Sequence, residues 1–399
     1  MKILNIKFSK NHLFEKGIEV PFTTKDGVRK NNQYSEYFQS AFKIKIGLYS
    51  QVVMPVIGIN ATGKTSLLDL LSIVFEILLK DQKLNSPTII TILNKFRVGK
   101  NSPLSFEVIF LDDKNTLYKI KSTISKNENI ENSFFYEDEI LWSCPNSKIM
   151  NKDIKTSPFT ISLERKSLKD NDFLKKDISI LTTKNETSTQ FYFDPLKDKT
   201  IGPHWFGKPY PEIVQILDPS VKELTIGVNE DKTNFESIIS FKRDSINSKT
   251  EVGKLNELLS TGTIKGLNIV PSLVSVLHCG GYYFIDEIEN HINRRIVEFI
   301  IGLFTDSRSN PKGACLLFTT HYPELLDDVP RKDNIFVTRR IENNALDVSR
   351  FSDFDIVTRN DVSKSKIFLA SLVKGTAPNF TDILNAKNCV INKVNKHED

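Results

Sequence analysis

Cysteine is scarce in this chain. Cys144, Cys279, Cys315 and Cys389 lie far apart, and no Cys-x-x-Cys or Cys/His ligand spacing joins them. A structural zinc site and a disulfide framework are thereby excluded as organising features, and idle thiols suit a reducing cytoplasm. Long apolar runs are missing too. The best stretch, LLDLLSIVFEILL at 67–79, is interrupted by Asp69 and Glu76 and is too short to span a bilayer, so it reads as a buried helix and no membrane association is expected. The opening MKILNIKFSKNHLF lacks the unbroken apolar core of a signal peptide, and its alternation reads as a strand. Neither sign of charge dominates: a net charge of +5 permits contact with nucleic acid without requiring it. No heptad run and no repeat at a fixed period occur, which excludes a coiled coil and a solenoid.

What is present is an ordinary globular composition, 39% hydrophobic and 26% charged over 399 residues, which suffices for one large α/β domain with an insertion or for two domains. Strands are expected at ILNIKF, GIEVPF and VVMPVIG, followed by a long helix from Lys64 to Lys80. From Pro103 the pattern alternates through SFEVIFLDD, NTLYKIKSTI and a weaker SFFYEDEILW, a β meander. Residues 123–210 are rich in Lys, Asn, Ser and Asp, with aromatic islands at 191–193 (FYF) and 204–206 (HWF), and read as an irregular insertion docked on the main domain. Regularity returns with a helix over EIVQILDPSVKEL, strands TIGV and SIISFKR, and a helix from Thr261 to Leu277 that Pro271 is expected to kink or divide. The strand YYFIDE, the helix IENHINRRIVEFIIGLF, the strands ACLLFTTH and NIFVTRR, and a polar helical tail complete the chain. The organisation is therefore an α/β domain in two halves, 1–122 and 211–345, with the insertion 123–210 between them and a tail 346–399.

Three stretches carry chemistry. GINATGKTS fits G-x-x-x-x-G-K-[ST] after a buried strand and before a helix. There Gly58 and Gly63 let the backbone close round phosphate, aided by Asn60, Ala61, Thr62 and Ser66. Lys64 adds a point charge, and Thr65 offers a hydroxyl to Mg²⁺. YYFIDEIEN ends a buried strand in Asp286-Glu287, where the aspartate of such enzymes holds Mg²⁺ and the glutamate polarises water. LLFTTHYPELLD ends the next strand in Thr319, Thr320 and His321, placed to face a γ-phosphate.

Taken together these motifs resemble the ATP-binding-cassette class of P-loop NTPases, in the branch shared by SMC, RecF and OLD proteins. The Walker A of that branch matches Gly58, Asn60, Gly63, Lys64 and Thr65, its Walker B Ile285, Asp286 and Glu287, and its switch histidine His321. Its signature motif matches Leu259, Ser260, Thr261, Gly262 and Thr263. The resemblance covers roughly 1–120 and 210–345. It implies a P-loop NTPase of ABC ATPase type: a mixed β-sheet core with flanking helices, ATP and Mg²⁺ as ligands, and Glu287 and His321 as catalytic residues. It also implies that Ser260 and Gly262 of one subunit contact ATP bound to another, so that a homodimer or higher homo-oligomer forms by sandwiching nucleotide.

Departures from the family pattern are equally specific. The glutamine loop has only Gln190 and Gln215 as candidates. After Walker B the chain reads Glu289-Asn290-His291, which resembles OLD-like and abortive-infection ATPases of bacteria, and no text for long arms or a Toprim nuclease follows. The expectation is a cytoplasmic, dimeric ATPase serving as sensor or regulator in anti-phage defence, with a separate effector protein and a nucleic-acid or phage trigger. The alternatives are a RecF-like repair ATPase on duplex DNA and a self-contained OLD-like nuclease; a transporter ATPase fits least. The charge run 163–176 would allow contact with duplex DNA but reads first as a solvated face, and KGTAPNF at 374–380 reads as a cap on the domain ahead of a partner-binding turn.

Overall fold

The computed structural model describes residues 1–25, 27–28, 36–149, 153–168, 174–183, 189–194, 208–228, 235–243, 248–341, 345–355, 363–376 and 380–395. The N-terminal part contains β1 (Lys2–Phe8), β2 (Ile18–Pro21), β3 (Ala41–Lys45), β4 (Leu48–Gln51), β5 (Val53–Ile57), α1 (Lys64–Lys80) and α2 (Pro87–Lys95). There follow β6 (Leu104–Leu111), β7 (Leu117–Lys126), β8 (Phe134–Cys144), β9 (Thr160–Glu164), β10 (Phe191–Asp194) and α3 (Pro211–Leu217). Next come β11 (Val221–Val228), β12 (Phe235–Phe241), β13 (Ser248–Glu251), α4 (Leu255–Leu258), α5 (Thr261–Cys279), β14 (Tyr282–Ile285) and α6 (Arg294–Thr305). The chain closes with β15 (Cys315–Thr320), β16 (Phe336–Arg340), β17 (Leu346–Arg350), α7 (Lys364–Leu369) and α8 (Phe380–Asn395).

Two six-stranded sheets enclose α1. The first is the meander, in order β2-β1-β6-β7-β8-β9, all antiparallel. The second, in order β10-β14-β15-β5-β16-β17, is parallel except for its edge strand β17. Every residue of β5, β14 and β15 is buried, because helices cover the second sheet on both faces; that is why these strands read as continuous apolar runs. Helix α1 lies between the sheets, and the apolar run at 67–79 forms its buried length. Phe75 on α1 packs against Phe22, Phe191, Tyr282 and Phe284 at ring separations of 5.7, 5.0, 4.8 and 4.8 Å, fastening both sheets to one helix. On the opposite face Leu273 and Val276 of α5 and Val297, Ile300 and Phe304 of α6 pack on Ile57, Ile285 and Phe318. Among the described residues no helix is long and apolar enough to cross a membrane.

Several expected boundaries move. The helix expected over 212–224 is the short α3, ending at Leu217; Pro219 then breaks the chain, and β11 begins at Val221. The helix expected from Ile288 begins only at Arg294, where the Asn293 side chain caps it by accepting from the Arg295 N–H at 2.9 Å. Pro271 does not divide α5, because Ile269, Leu273 and Val276 on either side of it are held in one core. The boundary drawn at 122/123 falls inside β7, and the weakly marked SFFYEDEILW is the 11-residue β8. The island at 191–193 docks as β10, parallel to β14, while residues 204–206 lie outside the described residues.

Candidate active site

The parallel sheet delivers its chemistry at the carboxyl ends of its strands, the edge at which open α/β sheets bind ligands. The loop from Gly58 to Gly63 joins β5 to α1. A Cβ on Gly58 would collide with the hydroxyl and carbonyl oxygens of Thr338 on β16, so glycine is required there. Gly63 precedes the helix at φ 91 and Ala61 turns at φ 61, both in the left-handed region. Thr62 is buried, with its hydroxyl on the Ile59 carbonyl at 2.7 Å and against Thr338 Oγ1 at 2.8 Å. Its side chain therefore braces the loop and leaves only its N–H to face a ligand. Arg340, at the end of β16, donates to the Ala61 carbonyl at 2.7 Å. Asn60 and Ala61 are exposed at the loop's tip, and Ser66 is half-buried in the first turn of α1.

Lys64 is 6% exposed, and its ammonium donates to the carbonyls of Gly58 at 2.8 Å and Ile59 at 3.2 Å. It also lies 3.3 Å from His321 Nδ1. Burial brings its pKa down to about 8, with Glu287, Asp286 and Glu289 opposing the shift.

Asp286 is buried, and both of its oxygens are occupied. Oδ2 accepts from Thr65 Oγ1 at 2.8 Å, and Oδ1 accepts from Thr319 Oγ1 at 2.6 Å. Glu287 follows at φ 49, a strained conformation that turns its carboxylate back over the strand ends. Its N–H donates to Thr319 Oγ1 at 2.6 Å, and its Oε1 stands 3.1 Å from His321 Nε2. Thr319 was expected to face phosphate; instead its hydroxyl faces the two Walker B residues. The converging hydroxyl of Thr65 and carboxylate of Asp286 supply hard oxygen donors at one point, the small donor set that suits Mg²⁺ retaining water and phosphate ligands.

The signature stretch forms the start of α5. Ser260 is its N-cap, accepting from the Thr263 N–H at 3.1 Å, and its hydroxyl lies 2.8 Å from Thr263 Oγ1. Gly262 packs so closely on the His291 carbonyl oxygen that a Cβ would collide with it. Among the described residues, their contacts run to Thr263 and to the turn after β14, and none reaches the Gly58–Ser66 loop.

Belonging to a family is decided at this edge. The family described as "AAA domain, putative AbiEii toxin, Type IV TA system" matches residues 53–327, more than half of the chain, a span that holds the Gly58–Ser66 loop, Ser260–Gly262, Asp286, Glu287 and His321. The chain belongs to this AAA-domain family. It is thus an AAA/ABC-type P-loop ATPase domain of a family associated with abortive infection, and such domains in general bind ATP with Mg²⁺. No curated protein matches the chain significantly.

Within this AAA domain the two glutamine-loop candidates lie in different surroundings. Gln190 lies at the start of β10, where its carbonyl accepts from the Tyr282 N–H at 2.9 Å, at the end of the sheet remote from the phosphate loop. Gln215 is exposed on α3. The position flanking Walker B belongs to Asp194, whose carbonyl accepts from the Asp286 N–H at 3.0 Å. Thr338, Arg340, Glu289 and Asp194 were missed as site residues. Only the topology, with β16 and β10 beside the motif-bearing strands, identifies Thr338, Arg340 and Asp194, whereas Glu289 stood in the sequence three residues after Asp286 without a task assigned to it. The turn at 374–376 packs against the end of β16: Gly375 at φ 87 sits on the Arg340 carbonyl, and Arg339 reaches the Lys374 carbonyl at 3.4 Å. Residues 377–379 of that segment lie outside the described residues.

Proposed function

We propose that this protein hydrolyses ATP with Mg²⁺, and that two copies sandwich the nucleotide between the Gly58–Ser66 loop of one and the Ser260–Gly262 cap of the other. The observation carrying this reading is the Lys64–His321–Glu287 arrangement beside the Thr65–Asp286 pair, all at one sheet edge. Glu287 is placed to accept a proton from an attacking water, and His321, 3.1 Å away, is placed to orient that carboxylate and to face the terminal phosphate. Lys64 and the loop N–H groups offset the charge of the phosphates. Thr65 and Asp286 would hold Mg²⁺, which when bound would supply positive charge to offset that of the phosphates. The amino end of α5, capped by Ser260, offers N–H groups to an anion outside its own chain's loop.

On this reading ATP binding joins subunits and hydrolysis releases them, a switch suited to a sensor or regulator in anti-phage defence that controls a separate effector. The family's association with abortive infection supports the defence setting. Phosphate release by the purified protein tests the chemistry: Lys64→Ala is expected to lose ATP binding, and Glu287→Gln to bind without turnover. Isolation from the native host with bound partners tests the setting. A wild-type protein that binds no ATP would contradict the first half, and one with no effect on phage growth the second.

A further inference from the structure

We propose that Glu289 is a positioning residue that sets His321 against Glu287 by holding the main chain at the end of β15. The inference rests on the ATPase reading above and names a residue to which that reading gives no task.

Glu289 lies on the turn after β14, and its Oε1 accepts from the His321 main-chain N–H at 2.6 Å. The His321 ring, on the same residue, reaches Glu287 with Nε2 and Lys64 with Nδ1. Two further bonds join the turn to this strand end: the Glu287 N–H to Thr319 Oγ1 at 2.6 Å, and the Ile288 N–H to the Thr319 carbonyl at 3.1 Å. Of these three ties, only that of Glu289 reaches the residue whose ring faces the carboxylate of Glu287. It therefore fixes where the ring originates, and a displacement of about 1 Å there is enough to spoil proton-transfer geometry.

The turn itself is clamped from the other side. Glu287 and His291 adopt φ 49 and φ 62, and Gly262 of α5 presses on the His291 carbonyl with no space for a Cβ. Glu289 Oε2 is shielded from solvent and finds no hydrogen-bond partner among the described residues. A buried carboxylate oxygen without a partner is costly, and its retention points to a task for the other oxygen. Lys265, one turn along α5 from Gly262, is half-buried, and Asp194 and Glu289 are the two strongest influences opposing the fall in its pKa that burial causes.

Three variants of the full chain separate positioning from charge. In Glu289→Gln the Oε1 acceptor remains and the charge is lost. Glu289→Asp keeps the charge but withdraws the carboxylate from His321, and Glu289→Ala removes both. Positioning predicts that Asp and Ala lower kcat about tenfold while ATP affinity stays within about twofold, and that Gln recovers kcat to within about threefold of wild type. Thermal unfolding of each variant identifies any that fail to fold, and the Gln and Asp pair decides the matter if Ala does. Normal kcat in Asp, or a loss in Gln equal to that in Asp, overturns the proposal. A wild-type protein that hydrolyses no ATP overturns the underlying reading instead, so the two failures are distinguishable.

Discussion

Thr319 donates its hydroxyl to Oδ1 of Asp286 at 2.6 Å, and neither side chain is more than 1% exposed. The same hydroxyl oxygen accepts the Glu287 N–H, so one threonine holds both Walker B residues from the neighbouring strand. Thr319→Val keeps the shape and deletes both bonds, leaving a buried carboxylate oxygen and a main-chain N–H unsatisfied. The expected loss of stability is about 2–3 kcal/mol, measured by urea unfolding, with turnover reduced more than ATP affinity. An unchanged unfolding midpoint would show that the bond is dispensable.

Lys64 predicts a pH dependence of nucleotide binding. Its free-protein pKa is lowered by burial from 10.5 to about 8, and it is the protonated form that attracts phosphate. Above about 8 the free protein must take up a proton to bind, so affinity is expected to fall as pH rises through that value, approaching tenfold per pH unit. Lys64→Arg removes the titration and flattens the profile, whatever its effect on absolute affinity. Titrations with labelled ATP either side of pH 8 give the answer.

Gly262→Ala tests how firmly α5 sits on the turn after β14. The added methyl meets the His291 carbonyl oxygen, so helix or turn must shift, at a cost of about 1–3 kcal/mol. A variant as stable as wild type would mean that α5 moves freely against the turn.

One buried ion pair joins β8 of the meander to the segment that follows β9. Glu139 of β8 is fully buried and accepts from Arg165 at 2.7 and 3.0 Å, from Ser122 and Ser179, and from the Ile180 N–H. Arg165→Met strands that carboxylate, and a loss of about 3 kcal/mol is expected. Burial already raises the Glu139 pKa, with Arg165 chief among the influences lowering it. A raised carboxyl pKa means that stability is lost as pH rises and the group ionises, so the defect should deepen from mildly acidic to neutral pH. Denaturant midpoints across that range measure it.

Legibility followed burial. The strands at 53–57, 282–285 and 315–320 are apolar throughout because helices cover both their faces, and the phosphate loop is written in glycines that steric contact and positive φ demand. SFFYEDEILW looked weak because Glu139 interrupts its alternation, and its partner Arg165 lies in a charge run that read as solvated. Yet Arg165 is only 13% exposed, so for this residue that reading was wrong. No local pattern shows a buried ion pair between residues so far apart in sequence. Asp194 and Thr338 were hidden for a related reason: each joins the site because its strand neighbours a motif-bearing strand, and strand order is a property of the sheet.

The most direct test of the nucleotide sandwich is the solution mass of Glu287→Gln with and without ATP and Mg²⁺, alongside a Ser260→Arg, Glu287→Gln double variant. The account predicts that ATP raises the subunit number of the first protein, and that the second binds ATP without assembling. A Glu287→Gln protein that binds ATP and keeps the mass it has without nucleotide would contradict the account, and the Ser260–Gly262 cap would have to serve some other anion.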